Sequence, residues 1–465
     1  MKKLLSLLLL LSATTLLAQD ITGAWHGLLT FPGGQLRLTL NVTKTDAGYT
    51  ATLDSPDQGA KDIPVTNIFF ENNILAFGIP QATINYKGTL ENNTFKGTFT
   101  QNGNNMPLDL GRTEVKATTK ARPQDPVKPY PYYEEEVTFK NEKAQGITFA
   151  GTLTLPKKEG NFPAVVLISG SGAQNRDEEL LGHKPFAVLA DYLTRNGIAV
   201  LRYDDRGTGA SQGSFAKSTT QDFATDAEAA FNYLKTRKEI NKSKIGLIGH
   251  SEGGTIAPIV ASQHPDVAFI VLLAGTALPG DEILMLQNYL LGKANGMPEE
   301  ELKKLGTINR QTYDVIKQET DPEVMKKKLT VVFNQQLKPL FVSKGIPESE
   351  VSQYIDVQLK EITSPWYVSF IKFNPGPVLE KTKCPILALN GERDLQVAPK
   401  ANLDAIRRAA DKSGNKKVTT KEIPGVNHLF QECKTGAISE YGEIEQTISP
   451  TVLSEVSTWI LKQVK

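Results

Sequence analysis

Apolar and polar positions along this chain fall into distinct textures. From Ile21 to about Arg112 the pattern repeats every second residue. Leu36, Leu38 and Leu40 alternate with Arg37 and Thr39, and Thr89–Leu90 faces Phe95–Phe99 across an Asn92–Asn93 turn. Period two marks a half-buried strand. Short strands parted by Gly, Asn and Asp turns predict a small all-β domain, barrel or sandwich, over residues 20–112. Trp25 and its Tyr and Phe neighbours read either as core aromatics or as a ligand surface. Residues 113–132 are polar and charged, with Pro123, Pro126, Pro129 and Pro131, and read as a linker.

Beyond the linker, strands alternate with helices. Glu136–Lys140 and Ile147–Leu155 read as a hairpin. Ala164–Ser169, Ile198–Tyr203, Ile245–Ile248, Val267–Ala274, Pro385–Leu389 and Val418–Ile423 read as strands, and Pro185–Arg195, Gln221–Lys238 and Thr255–Ser262 as helices. Such alternation predicts an α/β fold, a doubly wound and mostly parallel sheet, over residues 133–465. Between about residues 280 and 383 the alternation stops and the pattern turns helical. An insertion there opens on the carboxyl ends of the strands, where α/β sheets bind ligands, and predicts a helical cap. Within it Trp366, Tyr367, Phe370 and Phe373 recur at helical spacing. They either line a substrate pocket or pack the cap onto the sheet.

Composition narrows the picture by exclusion. A formal net charge of +1 over 465 residues supplies no long-range field for nucleic acid or an anionic membrane. Residues 1–18 combine basic Lys2 and Lys3, an apolar run from Leu4 to Leu17 and a small Ala18. This is the pattern of a signal peptide, too short to span a bilayer, and predicts export, with a bacterial periplasm as the destination. Cys384 opens one predicted strand while Cys433 lies beyond His428, so the two should sit near opposite ends of the sheet, unpaired. No metal or cofactor site is expected. The oligomeric state is open.

The chemistry concentrates in Ile245–Gly254, IGLIGHSEGG. A buried strand ends in Gly-x-Ser-x-Gly, the nucleophile elbow, whose glycines permit a sharp strand-to-helix turn with Ser251 at its tip. A serine hydroxyl needs an adjacent base. Of the five histidines, His26 lies in the β-region, His183 in a loop before a helix, His250 in the elbow facing away, and His264 at a helix end. His428, on a loop after the strand Val418–Ile423, remains as the base. The orienting carboxylate should follow another strand, and Asp394 in CPILALNGERD fits, with Glu392 as its competitor. The order Ser, Asp, His is that of the α/β-hydrolases.

A tetrahedral oxyanion needs fixed N–H donors. One is expected from Glu252, the residue after the nucleophile, and the other from the loop SGSGAQNRD, with Ser171 first and Gly170 second. The Glu252 side chain either meets a substrate ammonium or is solvated. Arg176, Asp177 and the DDRGTG loop orient substrate or pair with the cap, and Arg206 reads as a buried structural ion pair.

Together GHSEGG, YDDRGTGAS, LISGSGAQNRD, LNGERD and PGVNH resemble the α/β-hydrolase superfamily. More narrowly, they resemble its bacterial exported esterases of the serine aminopeptidase-like (Hydrolase_4) group, over roughly Tyr133–Val464. The resemblance implies an eight-stranded sheet and hydrolysis of small carboxylic esters without a cofactor. Ser251 would be nucleophile, Asp394 the orienting acid and His428 the base. SGSG stands where many relatives carry His-Gly, which leaves Gly170 and Ser171 both open as donors. Two other readings stand beside it: a peptidase acting at a free N-terminus, and a non-enzymatic binding module on the same fold.

Overall fold

The computed structural model describes residues 20–465 apart from 32–33, 47, 57–59, 80–83, 102–103, 117–121 and 344–347. The signal segment expected at residues 1–18 lies outside the described residues. The chain divides into two compact units near residue 117.

The first unit is all strand: β1 (Gly23–Phe31), β2 (Gly34–Thr45), β3 (Gly48–Ser55), β4 (Ala60–Val65), β5 (Asn67–Glu71), β6 (Ile74–Ile79), β7 (Ile84–Glu91), β8 (Thr94–Gln101) and β9 (Asn104–Gly111). They form one nine-stranded sheet in the order β4-β3-β2-β1-β9-β8-β7-β6-β5. Its outer strands, β4 and β5, are joined by Thr66 alone, so the sheet must curl until its edges approach. The result is a nearly closed barrel. Asn92 and Asn93, both at positive φ (46° and 64°), make the tight turn between β7 and β8.

Inward positions carry Trp25, Leu40, Leu53, Leu75, Phe95 and Phe99, all buried. The Trp25 ring lies 4.4 Å from that of Phe95, its indole N–H donates to the Ile21 carbonyl at 2.8 Å, and the Arg112 guanidinium covers it at 3.7 Å. Trp25 is thus a core residue of the barrel rather than part of a ligand surface.

The second unit begins with β10 (Tyr133–Asn141), β11 (Ile147–Leu155), β12 (Phe162–Ile168), α1 (Pro185–Arg195), β13 (Ala199–Tyr203), α2 (Thr220–Thr236), β14 (Ile240–His250), α3 (Gly253–Gln263) and β15 (Ile270–Leu273). Among the described residues seven α-helices follow, with a π-helical turn at Phe333–Leu337: α4 (Gly280–Ala294), α5 (Glu299–Gln318), α6 (Pro322–Val332), α7 (Lys338–Ser343), α8 (Glu348–Ile362), α9 (Pro365–Lys372) and α10 (Gly376–Lys381). The chain then returns to the sheet with β16 (Ile386–Gly391), α11 (Pro399–Ser413), β17 (Val418–Ile423) and α12 (Pro450–Gln463). Proline at the first position starts α1, and a capping box between Thr219 and Asp222 starts α2.

The eight strands run β10-β11-β13-β12-β14-β15-β16-β17; β11 is antiparallel to both its neighbours, β10 and β13, and the remaining pairs are parallel. Successive residues of β12 face opposite sides. Val165 and Leu167 pack with α1 and α12 (Phe186, Leu189, Val456, Ile460). Val166 and Ile168 pack with α2, α3 and α11 (Phe231, Ile256, Val260, Ile406). Both faces are covered, as a doubly wound sheet requires.

Helices α4 to α9 hold an apolar cluster of their own, with Ile308, Tyr313, Ile316, Leu329 and Leu359 buried in it. The proline-rich stretch before β10 is tied to this unit. Arg122 donates to the carbonyls of Leu181, Gly442 and Ile444, and Gln124 bonds the backbone of Thr447 and Ile448. Among the described residues no helix is long and apolar enough to cross a membrane.

Candidate active site

Register sets where the loops leave the sheet. Ile168 is level with Gly249, His250 with Leu273, Leu273 with Leu389, and Gly391 with Ile423. Parallel strands lie about 4.8 Å apart. The loops after β12, β14, β16 and β17 therefore start at one end of the sheet and at closely matching heights. Residues far apart in sequence meet there.

Ser251 sits at the turn between β14 and α3 with φ 53°, the left-handed region a non-glycine residue rarely adopts. Its N–H continues the ladder to the Leu273 carbonyl at 2.9 Å, and its own carbonyl accepts from Gly254 at 2.9 Å. The turn is too tight for side chains on either flank. A Cβ at Gly249 would lie 1.9 Å from the Gly253 carbonyl oxygen, and one at Gly253 would lie 2.1 Å from that of Ile168. This is the elbow geometry.

Asp394 and His428 meet at the ends of β16 and β17. His428 Nδ1 lies 2.8 Å from Asp394 Oδ2, and both residues are buried. Asp394 also accepts from Asn390 Nδ2 at 3.2 Å and from the N–H groups of Gln396 and Val397, each at 2.8 Å. A carboxylate with both oxygens engaged holds its partner ring in one tautomer. Glu392, the competing carboxylate, instead accepts from the Gly425 N–H at 2.8 Å. The His428 ring lies 4.9 Å from that of His250, the residue preceding Ser251. Among the described residues neither the Ser251 hydroxyl nor His428 Nε2 carries a hydrogen bond, to each other or to another group.

On the other side of the elbow is the loop after β12. The Gly170 N–H donates to Glu178 Oε1 at 2.7 Å and so points away from an oxyanion. Ser171 is exposed, and its N–H has no acceptor among the described residues. The Glu252 N–H, just ahead of α3, is likewise open. Asp205 pins this loop, accepting from Ser169 Oγ at 2.8 Å and from the Gln174 N–H at 2.9 Å. Burial pushes the Asp205 carboxyl up to about 8, against the pull of those two hydrogen bonds and with Glu178 and Glu252 nearby.

Several side chains stand elsewhere than the sequence suggested. The Glu252 carboxylate is neither solvated nor open to an ammonium. It is 2% exposed and accepts from Thr220 Oγ1 at 2.6 Å and from Trp366 Nε1 at 2.8 Å. Burial raises its carboxyl above the usual range, while those two bonds lower it. Trp366 also stacks on Phe370 at 5.2 Å, and Tyr367 packs into the cluster of the inserted helices, so these contacts describe packing. Arg176 and Asp177 pair with Asp204 and Arg202 rather than with the inserted helices. Arg206 grips Asp226 through two bonds of 2.7 Å, the buried ion pair its position suggested.

His183 is buried against Thr447 and the Tyr441 carbonyl, and burial pulls its imidazole down to about 4. Cys384 and Cys433 are free thiols. Among the described residues no group of three or more His, Cys, Asp or Glu is placed to hold a metal ion.

Sheet order, elbow and the buried acid–histidine pair give the second unit the α/β-hydrolase fold. Over part of its length the chain is also similar to proteins of that fold named as hydrolases and esterases. Residues 183–341 match the family model described as Hydrolase_4, Serine aminopeptidase, S33. Esterase EstD of Thermotoga maritima is 30% identical over 261 residues, which cover 52% of this chain and 61% of that protein. The chain thus spans less than two thirds of that relative's length. Mitochondrial acyl-coenzyme A thioesterase 2 of Mus musculus is 31% identical over 127 residues, 27% of this chain and 24% of that protein. Among solved structures, a hypothetical protein from Pseudomonas aeruginosa overlays with a TM-score of 0.44 at 17% identity, covering 76% of this chain and all of that one.

Proposed function

We propose that this protein is a serine hydrolase that cleaves small carboxylic esters through an acyl-enzyme on Ser251. The observation that carries the reading is the buried Asp394–His428 pair, held at 2.8 Å and delivered to the elbow from separate strands. His428 Nε2 takes the Ser251 proton as the hydroxyl oxygen attacks the ester carbonyl. The resulting oxyanion is met by the N–H groups of Ser171 and Glu252. His428 then protonates the leaving alcohol, and a water it activates releases the acid.

In this reading helices α4 to α10 form a cap over the carboxyl ends of the strands. Trp366, half-buried and bonded to Glu252 beside the elbow, would wall the acyl side, while Tyr367 and Phe370 pack behind it. The basic and apolar residues 1–18 support export, with a periplasm as the destination. The esterase named among the relatives fits this chemistry. A peptidase acting at a free N-terminus needs an acidic anchor, and the Glu252 carboxylate is already committed to Thr220 and Trp366.

A fluorophosphonate probe tests the reading. It is expected to label Ser251 in the full chain and to abolish hydrolysis of p-nitrophenyl butyrate. Failure to label, or faster turnover of aminoacyl p-nitroanilides than of the ester, would reject it.

A further inference from the structure

Beneath the elbow lies a second acid–histidine pair, outside the proposed proton transfer. Glu178, on the loop after β12, is buried and holds a left-handed backbone with φ 51°. Its Oε1 is 2.7 Å from the Gly170 nitrogen and 2.9 Å from His250 Nδ1. The other ring nitrogen, His250 Nε2, is 3.1 Å from the carbonyl oxygen of His428. A carbonyl oxygen only accepts, so Nε2 carries a proton. With Glu178 ionised, its oxygen only accepts as well, and Nδ1 then carries a proton too. Both nitrogens protonated make an imidazolium.

We propose that Glu178 and His250 form a buried carboxylate–imidazolium pair that positions both halves of the active site. On one side it draws in the Gly170 N–H, which leaves Ser171 as the outward-facing donor of that loop. On the other it grips the backbone of His428. Contact is close. A Cβ at Gly170 would lie 3.2 Å from both Glu178 Oε1 and Ser251 Cβ, tighter than ordinary contact, so a side chain there would press on elbow and acid. The pair spans the loops after β12, β14 and β17, which no local sequence pattern connects. Glu178 and His250 are positioning residues. The proposal rests on Ser251, Asp394 and His428 being the reacting set.

The groups facing His250 are Glu178, Asp394 and His428. Burial pulls its imidazole down, but the Glu178 and Asp394 charges and the His428 carbonyl outweigh that, and the net shift is upward. Loss of either ring proton at alkaline pH breaks one of the two bonds, and turnover should fall with it.

Two measurements on the full chain test this. Nitrogen-15 NMR of labelled histidines, assigned against His250→Gln, is expected to show both His250 ring nitrogens protonated at neutral pH. A neutral His250 overturns the proposal whether or not the protein is active. The second compares wild type with Glu178→Gln, which keeps the shape and an acceptor but loses the charge. With rates counted per fluorophosphonate-reactive site, kcat is expected to fall about ten- to a hundredfold while KM moves less than about threefold. The alkaline limb of kcat/KM should move to lower pH, and Glu178→Asp should recover part of it. An unchanged kcat per reactive site with an unmoved alkaline limb overturns the proposal. A wild type that does not react with fluorophosphonate refutes the hydrolase reading instead, and the NMR result still decides the charge of the pair.

Discussion

In the nine-stranded barrel, among the described residues, Ser55 is the one non-aromatic polar side chain that is buried, and Trp25, Phe95, Phe99 and a set of leucines fill the interior. The α/β unit buries Glu178, Asp204, Arg206, Asp226, His250, Glu252, Asp394 and His428 alongside its apolar core. Burying a polar or charged group costs stability unless its bonds are met. The barrel largely avoids that cost. The α/β unit accepts it, and many of these groups stand at the carboxyl ends of strands, where the loops converge. The contrast separates an interior that maintains shape from one that also maintains a charge pattern.

The contrast can be broken most directly at Ser251. Ser251→Ala is expected to lower ester turnover about 10⁴–10⁶-fold with little change in melting temperature, measured by steady-state kinetics and calorimetry. Asp394→Asn should cost about 10³–10⁴-fold in kcat, because the amide favours the wrong His428 tautomer, whereas Glu392→Gln should stay within about threefold of wild type. The barrel should respond the other way. Trp25→Ala is expected to destabilise it by about 3–5 kcal/mol in denaturant unfolding while kcat/KM for p-nitrophenyl butyrate holds. A loss of turnover there would show that the barrel takes part in the reaction.

Asp205→Asn sharpens the picture through pH. The Asp205 carboxyl is pushed up to about 8 in the folded chain, against about 3.9 for an unperturbed Asp. The folded state therefore binds the extra proton, and this contribution to stability is complete below about pH 4 and lost as pH rises through about 8. The melting temperature of wild type should decline across that range relative to Asp205→Asn, which mimics the protonated acid. Parallel curves would place the acid elsewhere on the pH scale. The smallest effect belongs to Ser171→Ala, within about threefold in kcat, because a side-chain change leaves the backbone donor in place.

The sheet was legible because its signals are local. The bounds of α1 and β17 coincide with those read from proline placement and apolar pattern. The elbow was legible for the same reason, since its glycines crowd one short turn. Helices α11 and α12 were not read, although Leu403, Ile406 and Ala410, and Val452, Val456 and Trp459, recur at helical spacing and carried the signal. The destinations of buried polar groups were not legible at all. Glu252 ends on Trp366, 114 residues away, and His250 on the carbonyl of His428, 178 residues away. No periodicity reports such pairings. The choice between Ser171 and Gly170 was left open for a nearer reason: the Gly170 N–H donates to a carboxylate eight residues along the same loop, and which way a loop N–H points is set by folding, not by composition.

The bonds from Arg122 and Gln124 bear on how the α/β unit can be handled alone. These two side chains clasp the strand-free stretch from Gly442 to Ile448, which follows the His428 loop and leads into α12. A fragment started at Tyr133 would strip that clasp away and leave carbonyls and N–H groups beside His183 seeking water. A fragment started ahead of Arg122 keeps its own latch, and is the shorter piece to express when the barrel is to be left out.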